Sequence, residues 1–236
     1  MRTATICLIL PRNGFQQRSE MTQAEKIEEV LELLQLHYEA YRQIKPFADK
    51  HAHPHPTDTR GWSQILVSSL TGIKGYERKK GPDLEDGSDV KAANCWDAID
   101  TPRFNGCIKA GTAAPKSGKL SSLDAMPYLF FVMWDTEEKS GAPRCRIWVV
   151  RTQLDIEFRA MAGRWYERRE KGTIRSDNFQ LHPPRNLNSN VFRNNCGHLE
   201  YPLLLESRLE DGEFTLTSVA GSVLDEGACI VAPTDD

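Results

Sequence analysis

Two nearly continuous apolar stretches in the middle of the chain constrain its fold more than any other feature. "YLFFVMW" spans residues 128–134 and "RIWVVRT" spans residues 146–152, joined by the turn-rich "EEKSGAP". A strand with one face in water alternates apolar and polar residues, whereas a strand covered on both faces is apolar throughout. These stretches therefore predict two neighbouring strands in a sheet that is covered on both faces.

Helical segments precede and follow these strands. Thr22 and Glu25 have the spacing of a capping box, and the apolar residues behind them recur at helical spacing until Pro46, where we expect the helix to end. The segment 154–171 also has a helical pattern, and the segment 207–219 is typical of a hairpin turning at Asp211-Gly212. The alternation of these patterns predicts one α/β domain.

Another helix is expected before the first strands. Asp58 or Thr59 can cap it, and Gly72 can close it in the left-handed conformation. The long polar segment that begins near residue 176 exceeds an ordinary connection, so we expect it to be functional or packed by its own side chains.

Length and composition indicate one cytoplasmic domain without a membrane segment. The 236 residues include six scattered cysteines and no C-x-x-C pair, which argues against a zinc ribbon or a disulfide scaffold. No apolar run approaches the roughly twenty residues of a membrane span. We expect the domain to span residues 21–236, after a flexible leader at 1–20 or with Met21 as the functional start. The net charge of −3 does not exclude nucleic acid, which needs only local positive charge.

The acidic stretch "GPDLEDGSDVKAAN", residues 81–94, could form a reactive turn. A three-residue loop, Glu85-Asp86-Gly87, would place glycine at the left-handed position that such loops require. Asp83 would then lie opposite Asp89, with Lys91 on the same face of the strand. A two-residue turn at Asp86-Gly87 would instead place the two aspartates on opposite faces.

Such a cluster suits phosphodiester hydrolysis. Paired carboxylates can hold Mg²⁺, which prefers oxygen ligands, lowers the pKa of a bound water and neutralises phosphate charge. A lysine beside them can orient that water and stabilise the transition state. The alternative is an ordinary acidic turn with a surface ion pair.

Pro82-Asp83 followed by Asp89-Val90-Lys91 resembles the motif of the PD-(D/E)xK nucleases, especially type II restriction endonucleases. The D-x-K form is similar to that of EcoRV-like enzymes, and the short gap is similar to that of MutH. The stretches "DVKAANCWDAIDTPRFNGCIKAG" and "NFQLHPPR" resemble the NlaIV/NgoBV restriction enzymes more narrowly.

This resemblance implies a mixed sheet of four or five strands flanked by helices, with a Mg²⁺-dependent site at one edge. Asp83, Asp89 and Val90 would bind the metal, and Lys91 would position the attacking water. An earlier helix would complete the site through Glu29 or Gln64, while Glu85 and Asp86 compete with Asp83 for the first ligand position.

The resemblance also implies a sequence-specific endonuclease that acts on double-stranded DNA as a homodimer, with no small-molecule cofactor. The narrower match implies a short palindromic target such as GGNNCC. The competing hypotheses are a repair nickase, a structure-specific nuclease, and a DNA-binding module without catalysis.

Two polar segments, near residues 99–106 and 178–200, are expected to recognise DNA. Arg103 can donate two parallel hydrogen bonds to guanine. The other candidate contacts are basic or amide-bearing side chains and one threonine: Lys79, Lys80, Asn94, Thr101, Asn105, Arg185, Asn188, Asn190, Arg193 and Asn194. Trp96 and Phe104 are expected to pack in the core instead.

Overall fold

A mixed five-stranded sheet forms the centre of the protein. The computed structural model describes residues 21–50, 59–76, 81–96, 101–109, 120–184 and 189–224. The helices are α1 (Gln23–Lys50), α2 (Arg60–Thr71), α3 (Ser121–Asp124) and α4 (Ile156–Glu170), with a 3₁₀ turn at Gly221–Leu224. The strands are β1 (Asp89–Asn94), β2 (Phe104–Lys109), β3 (Tyr128–Thr136), β4 (Pro143–Arg151), β5 (Asn178–Leu181), β6 (Val191–Asn194), β7 (Gly197–Glu200), β8 (Leu203–Glu210) and β9 (Glu213–Val219).

The strand order places β1 at one edge of this sheet. The order is β1-β3-β4-β8-β9, in which β1 runs parallel to β3 and the other neighbours are antiparallel. Asp89 at the start of β1 is opposite Leu129, and Asn94 at its end is opposite Trp134. The predicted mixed sheet with flanking helices is confirmed, and the acidic stretch leads directly into the edge strand.

The two faces of the sheet carry separate apolar cores. Along β3, Leu129, Phe131 and Met133 pack in a cluster with buried residues of α4 and of the small sheets. The alternate residues Phe130, Val132 and Trp134 pack with buried residues of α1 and α2. This alternation explains why β3 is apolar throughout, because both of its faces are removed from water.

The beginning of α1 agrees with the sequence, but its end does not. The Thr22 N–H donates to Glu25 Oε2 at 2.7 Å and the Glu25 N–H donates to Thr22 Oγ1 at 3.3 Å, so the capping box is confirmed. The prediction that Pro46 ends the helix is wrong, because α1 continues to Lys50. Pro46 removes one helical N–H donor. The carbonyl that it leaves, on Arg42, belongs to an exposed residue, where water can replace the donor.

The ends of α2 differ in how well they are capped. Gly72 has φ of 79° and its N–H donates to Ser68 O at 2.8 Å, so the predicted glycine closure is confirmed. Thr59 occupies the N-cap position, but its hydroxyl makes no capping hydrogen bond. Asp58, the other predicted cap, and the predicted leader at residues 1–20 lie outside the described residues.

The C-terminal hairpin is part of the central sheet, and the long polar segment packs against that sheet. Asp211 (φ 52°) and Gly212 (φ 93°) connect β8 and β9, which confirms the predicted two-residue turn. The polar segment forms β5, β6 and β7, with β5 paired to β2 and β6 paired to β7. Its apolar side chains, such as Phe179 and Phe192, are fully buried, so the segment is packed by its own side chains.

A buried ionic cluster joins β3 to β4. Asp135 accepts hydrogen bonds from Arg144 (Nε 3.0 Å, Nη2 2.8 Å) and from Arg146 (Nη2 2.7 Å), and each of the three residues is 1% exposed. Arg144 also approaches Glu206 of β8 at 3.5 Å. Two buried guanidinium groups therefore share the carboxylate of Asp135, and Glu206 adds a second negative charge beside Arg144.

No helix within the described ranges is both long enough and apolar enough to cross a membrane.

We expect Asp135→Asn to destabilise the fold by about 3–5 kcal/mol, because it removes the carboxylate charge that two buried guanidinium groups share. Urea unfolding would measure the loss. Asp124→Asn is the matched control, since Asp124 pairs with Arg159 at 2.7 Å but its side chain is 62% exposed. That control should lose less than about 1 kcal/mol. Equal losses in the two variants would contradict the assignment of Asp135 as the centre of the cluster.

Candidate active site

The acidic stretch folds into a three-residue turn. The Leu84 N–H donates to Ser88 O and the Gly87 N–H donates to Leu84 O, each at 3.1 Å, so residues 85–87 form the loop. Gly87 has φ of 96°, and a Cβ at this position would lie 2.6 Å from Ala125 O. Both the backbone conformation and the close approach therefore require glycine. The predicted odd-numbered loop is confirmed.

This turn brings the two aspartates to the same point on the edge of the sheet. Asp83 Oδ2 and Asp89 Oδ1 both accept a hydrogen bond from the Val90 N–H, at 2.9 and 3.2 Å. Lys91 Nζ forms an ion pair with Asp89 Oδ2, and the side chains of Asp89 and Lys91 are both 19% exposed. The three residues predicted to share a face therefore form one cluster.

The helix α2 contributes a fourth side chain to this cluster. Gln64 Nε2 donates to Asp83 Oδ1 at 2.7 Å. Glu29 of α1, the other predicted candidate, lines an adjoining depression together with Gln64 and Asp83. Direct contact with Asp83 makes Gln64 the better candidate of the two, and the catalytic role of either residue stays a prediction.

The environment of Asp83 favours its protonated form. Burial, a hydrogen bond with Asp89 and the negative charge of Asp89 together raise the pKa of Asp83 to about 7, and the Val90 N–H and Lys91 oppose them with smaller effects. Near neutral pH Asp83 is therefore only partly ionised. A cation between the two carboxylates would relieve the same repulsion.

The other two acids of the turn are arranged differently. Asp86 accepts hydrogen bonds from the N–H and the hydroxyl of Ser88, both at 2.8 Å, so its carboxylate caps the turn. Glu85 is exposed. Neither residue lines the cavity that contains Asp83 and Asp89, which favours Asp83 as the first ligand. Within the described residues, no group of three or more His, Cys, Asp or Glu side chains could hold a metal.

Asp83, Asp89 and Lys91 open into a cavity of about 820 Å³. The predicted DNA contacts Asn94, Arg103 and Asn105 also line it. The charged side chains among its described lining residues are two carboxylates and three cations, which are Arg60, Lys91 and Arg103. The cavity therefore carries a net positive charge beside a carboxylate pair, an arrangement suited to a phosphate-bearing ligand.

Four polar residues of this cavity were not predicted individually as contacts. Thr59 and Arg60 reach it from the start of α2, Ser122 reaches it from α3, and Asn178 reaches it from β5. Thr59 had been assigned only a capping role. The pairing of β2 with β5, which places Lys109 opposite Asn178, is a long-range contact without a local sequence signal.

The other predicted DNA contacts that the structure describes do not line the large cavity. Thr101 and Arg193 line a separate cavity of about 250 Å³ with His182. Asn190 Oδ1 accepts the Trp148 indole N–H at 2.9 Å, and Asn194 Oδ1 accepts the Cys196 N–H at 2.7 Å.

Those two bonds favour structural roles for both asparagines. Lys79, Lys80, Arg185 and Asn188 lie outside the described residues. Trp96 and Phe104 are buried, which confirms that they pack in the core.

Comparison with known proteins identifies the family. A sequence model of the MamI restriction endonuclease family matches residues 46–214, which include the whole three-residue turn, β1 and α2. The chain belongs to the MamI restriction endonuclease family. This match does not bear on the narrower resemblance to the NlaIV/NgoBV enzymes.

One member of the MamI family is a curated relative. The type II restriction enzyme MamI of Microbacterium ammoniaphilum is 30% identical over 166 residues, which cover 64% of this chain and 52% of that enzyme. The chain therefore aligns with about half the length of this relative. No solved structure matches the chain significantly.

We expect Asp83→Asn to stabilise the metal-free protein increasingly as the pH rises. The pKa of Asp83 is raised from 3.8 to about 7 in the folded state. Asp83 thus keeps its proton to higher pH in the folded state than in the unfolded state. The folded state therefore loses stability as the pH rises between the two pKa values. The variant does not ionise. Its melting temperature relative to the native protein should therefore be higher at about pH 8 than at about pH 5.

Thermal unfolding in the presence of a chelator would measure this difference. Asp86→Asn is the control, because it removes a carboxylate of the same loop whose oxygens face Ser88. A pH-dependent difference of equal size in the control would show that the Asp83–Asp89 contact is not its source.

Proposed function

We propose that this chain is a Mg²⁺-dependent, sequence-specific endonuclease that hydrolyses double-stranded DNA. The observation that carries the proposal is the cluster of Asp83, Asp89 and Lys91, which faces a positively charged cavity at the edge of the sheet. Membership of the MamI family supports the same activity. The contact of Asp83, Asp89 and Lys91 in one cluster supports the resemblance to the PD-(D/E)xK nucleases.

The donor atoms of the cluster suit Mg²⁺. Asp83 and Asp89 offer carboxylate oxygens, the ligands that a hard cation prefers. The N–H and C=O of one strand residue point to the same side. The Val90 N–H points towards the aspartates, so the Val90 carbonyl faces the same edge. The raised pKa of Asp83 supports a cation at this position, because a cation would offset the negative charge of Asp89 that opposes ionisation of Asp83.

Type II restriction enzymes generally use Mg²⁺, which would activate water and offset phosphate charge at such a site. Asp83, Asp89 and the Val90 carbonyl would hold the ion, and its remaining ligands would come from water and the DNA.

The side chains around the carboxylates would orient the reaction. Lys91, held by Asp89, places an ammonium group where it can hold the attacking water and stabilise the negative charge that develops on the phosphate. Gln64 donates a 2.7 Å hydrogen bond to one oxygen of Asp83. Lys91 pairs with Asp89 instead. Lys91 and Gln64 therefore approach the carboxylate pair through different aspartates.

Sequence recognition would come from the polar residues along the same cavity. Arg103 can donate two hydrogen bonds to a guanine, and Asn94 and Asn105 can bond to base edges or to the backbone. A palindromic target has two equivalent half-sites, which a homodimer with twofold symmetry reads naturally. The sequence GGNNCC, implied by the NlaIV/NgoBV resemblance, is one target that sequencing of the DNA ends would test.

Digestion of unmethylated phage DNA, with and without Mg²⁺, tests this proposal. We expect discrete fragments from the native protein with Mg²⁺ only. Asp89→Asn should cut at least roughly 100-fold more slowly, because it weakens both the carboxylate pair and the contact with Lys91. Asp86→Asn should cut at the native rate, because its side chain can still accept the Ser88 N–H bond that supports the turn.

The products and a binding assay separate the competing functions. Breaks in one strand only would indicate a nickase. Intact DNA that is nevertheless bound equally by the native protein and Asp89→Asn would indicate a binding module and overturn the catalytic proposal. Loss of cutting in Asp86→Asn, with native cutting in Asp83→Asn, would reassign the first ligand to Asp86.

A further inference from the structure

The helix α2 begins at the wall of the large cavity. Thr59, its N-cap residue, and Arg60, its first residue, both line the cavity that contains Asp83 and Asp89. Thr59 is only 3% exposed, yet its hydroxyl makes no capping bond and has no hydrogen-bond partner among the described residues. Thr59 lies on the wall of the cavity, which can supply this hydroxyl with a partner.

The first turn of α2 also presents backbone donors. The first N–H groups of any helix have no partner within the helix. In α2 the first hydrogen bond within the helix is donated by the Ser63 N–H to Thr59 O at 2.9 Å. The space beside Gly61 is open, because a Cβ there would meet nothing within 4 Å. A helix N-terminus carries partial positive charge, and Arg60 adds an exposed guanidinium group to it.

The chemistry of this turn selects an anion. Its donors are a hydroxyl, backbone N–H groups and a guanidinium, and together they match the oxygens of a phosphate. The nearby carboxylates of the cavity are engaged elsewhere, because Asp83 bonds to Gln64 and Val90 while Asp89 pairs with Lys91. Neither carboxylate therefore satisfies the Thr59 hydroxyl, and an external anion can bind to this hydroxyl beside the positive end of α2 and the charge of Arg60.

The position of the turn relates it to the carboxylate cluster. Gln64, which contacts Asp83, follows Thr59 by five residues, or about 7.5 Å along a helix. Successive base pairs of DNA are about 3.4 Å apart along the duplex axis. The turn thus lies within a few nucleotides of any phosphate held at the carboxylate cluster.

We propose that the first turn of α2, Thr59–Trp62, binds a backbone phosphate of the DNA strand, close to the phosphate that is cut. This inference rests on the proposed function, because it assumes that DNA occupies the cavity. The contact reads no sequence. It sets the position of the strand relative to Asp83 and Asp89.

Metal-free binding to short fluorescent duplexes of several sequences, measured over a range of salt concentrations, tests the inference. Arg60→Gln should weaken binding to all duplexes similarly and lower the slope of log affinity against log salt by about 1. Thr59→Val, which keeps the shape of the side chain, should weaken binding roughly tenfold without changing the slope. Thr59→Ser restores the hydroxyl and should restore the affinity.

Lys139→Gln is the matched control for charge. Lys139 is exposed in the connection between β3 and β4, beyond the end of β3 that is opposite Asn94, whereas Asp89 is at the other end of β1. Its removal should leave both the affinity and the salt slope close to native values. Thermal unfolding of each variant would show whether the fold is intact.

The outcomes separate this inference from the proposed function. If the native protein neither binds nor cuts DNA, both the phosphate site and the proposed endonuclease function are wrong. If the native protein binds and cuts, but Thr59→Val and Arg60→Gln bind with native affinity and slope, the phosphate site alone is overturned. A loss in Thr59→Val that Thr59→Ser does not restore would also overturn it, because the effect would then come from packing.

Discussion

The convergence of two carboxylates on the Val90 N–H is the interaction on which the candidate site depends. It requires an odd number of residues in the preceding loop, since one residue more or fewer would move Asp83 to the other face of the strand. The loop length depends in turn on Gly87, whose φ of 96° and approach to Ala125 exclude a side chain. A single backbone position thus determines whether the chain has a paired-carboxylate site at all.

The sheet accounts for where this pair is placed. β3 and β4 are buried on both faces and stabilise the domain, while β1 occupies an edge and keeps one side of its backbone available. The Val90 N–H can therefore bond to side chains instead of to another strand. The cost is a raised pKa at Asp83, because partial burial and the neighbouring Asp89 both oppose its ionisation. A catalytic metal bound between the two carboxylates would remove this repulsion, and the relief would strengthen metal binding.

The parts of the structure that could be predicted from the sequence are those with local signals. The runs in β3 and β4, the Asp211-Gly212 turn and the three-residue turn at Gly87 each depend on residues close together in the chain. The route of α1 past Pro46 depends on exposure, which sequence periodicity does not report. The bond between Asn190 and Trp148 and the cluster around Asp135 join residues from separate segments of the chain, so neither has a local sequence signal. The bond from the Cys196 N–H to Asn194 is local, but an asparagine in a polar segment fits such a turn as well as a DNA contact.

The helix α2 connects the two halves of the proposed mechanism. Leu66, Val67 and Leu70 are buried in the core between this helix and the sheet, which fixes the rotation of the helix about its axis. With that rotation fixed, Gln64 is directed to Asp83 and the first turn is directed to the cavity. A DNA strand bound by that turn would therefore be held by the same helix that contacts Asp83 through Gln64. Placement of the cut phosphate then follows from the packing of one short helix, independently of which bases are read.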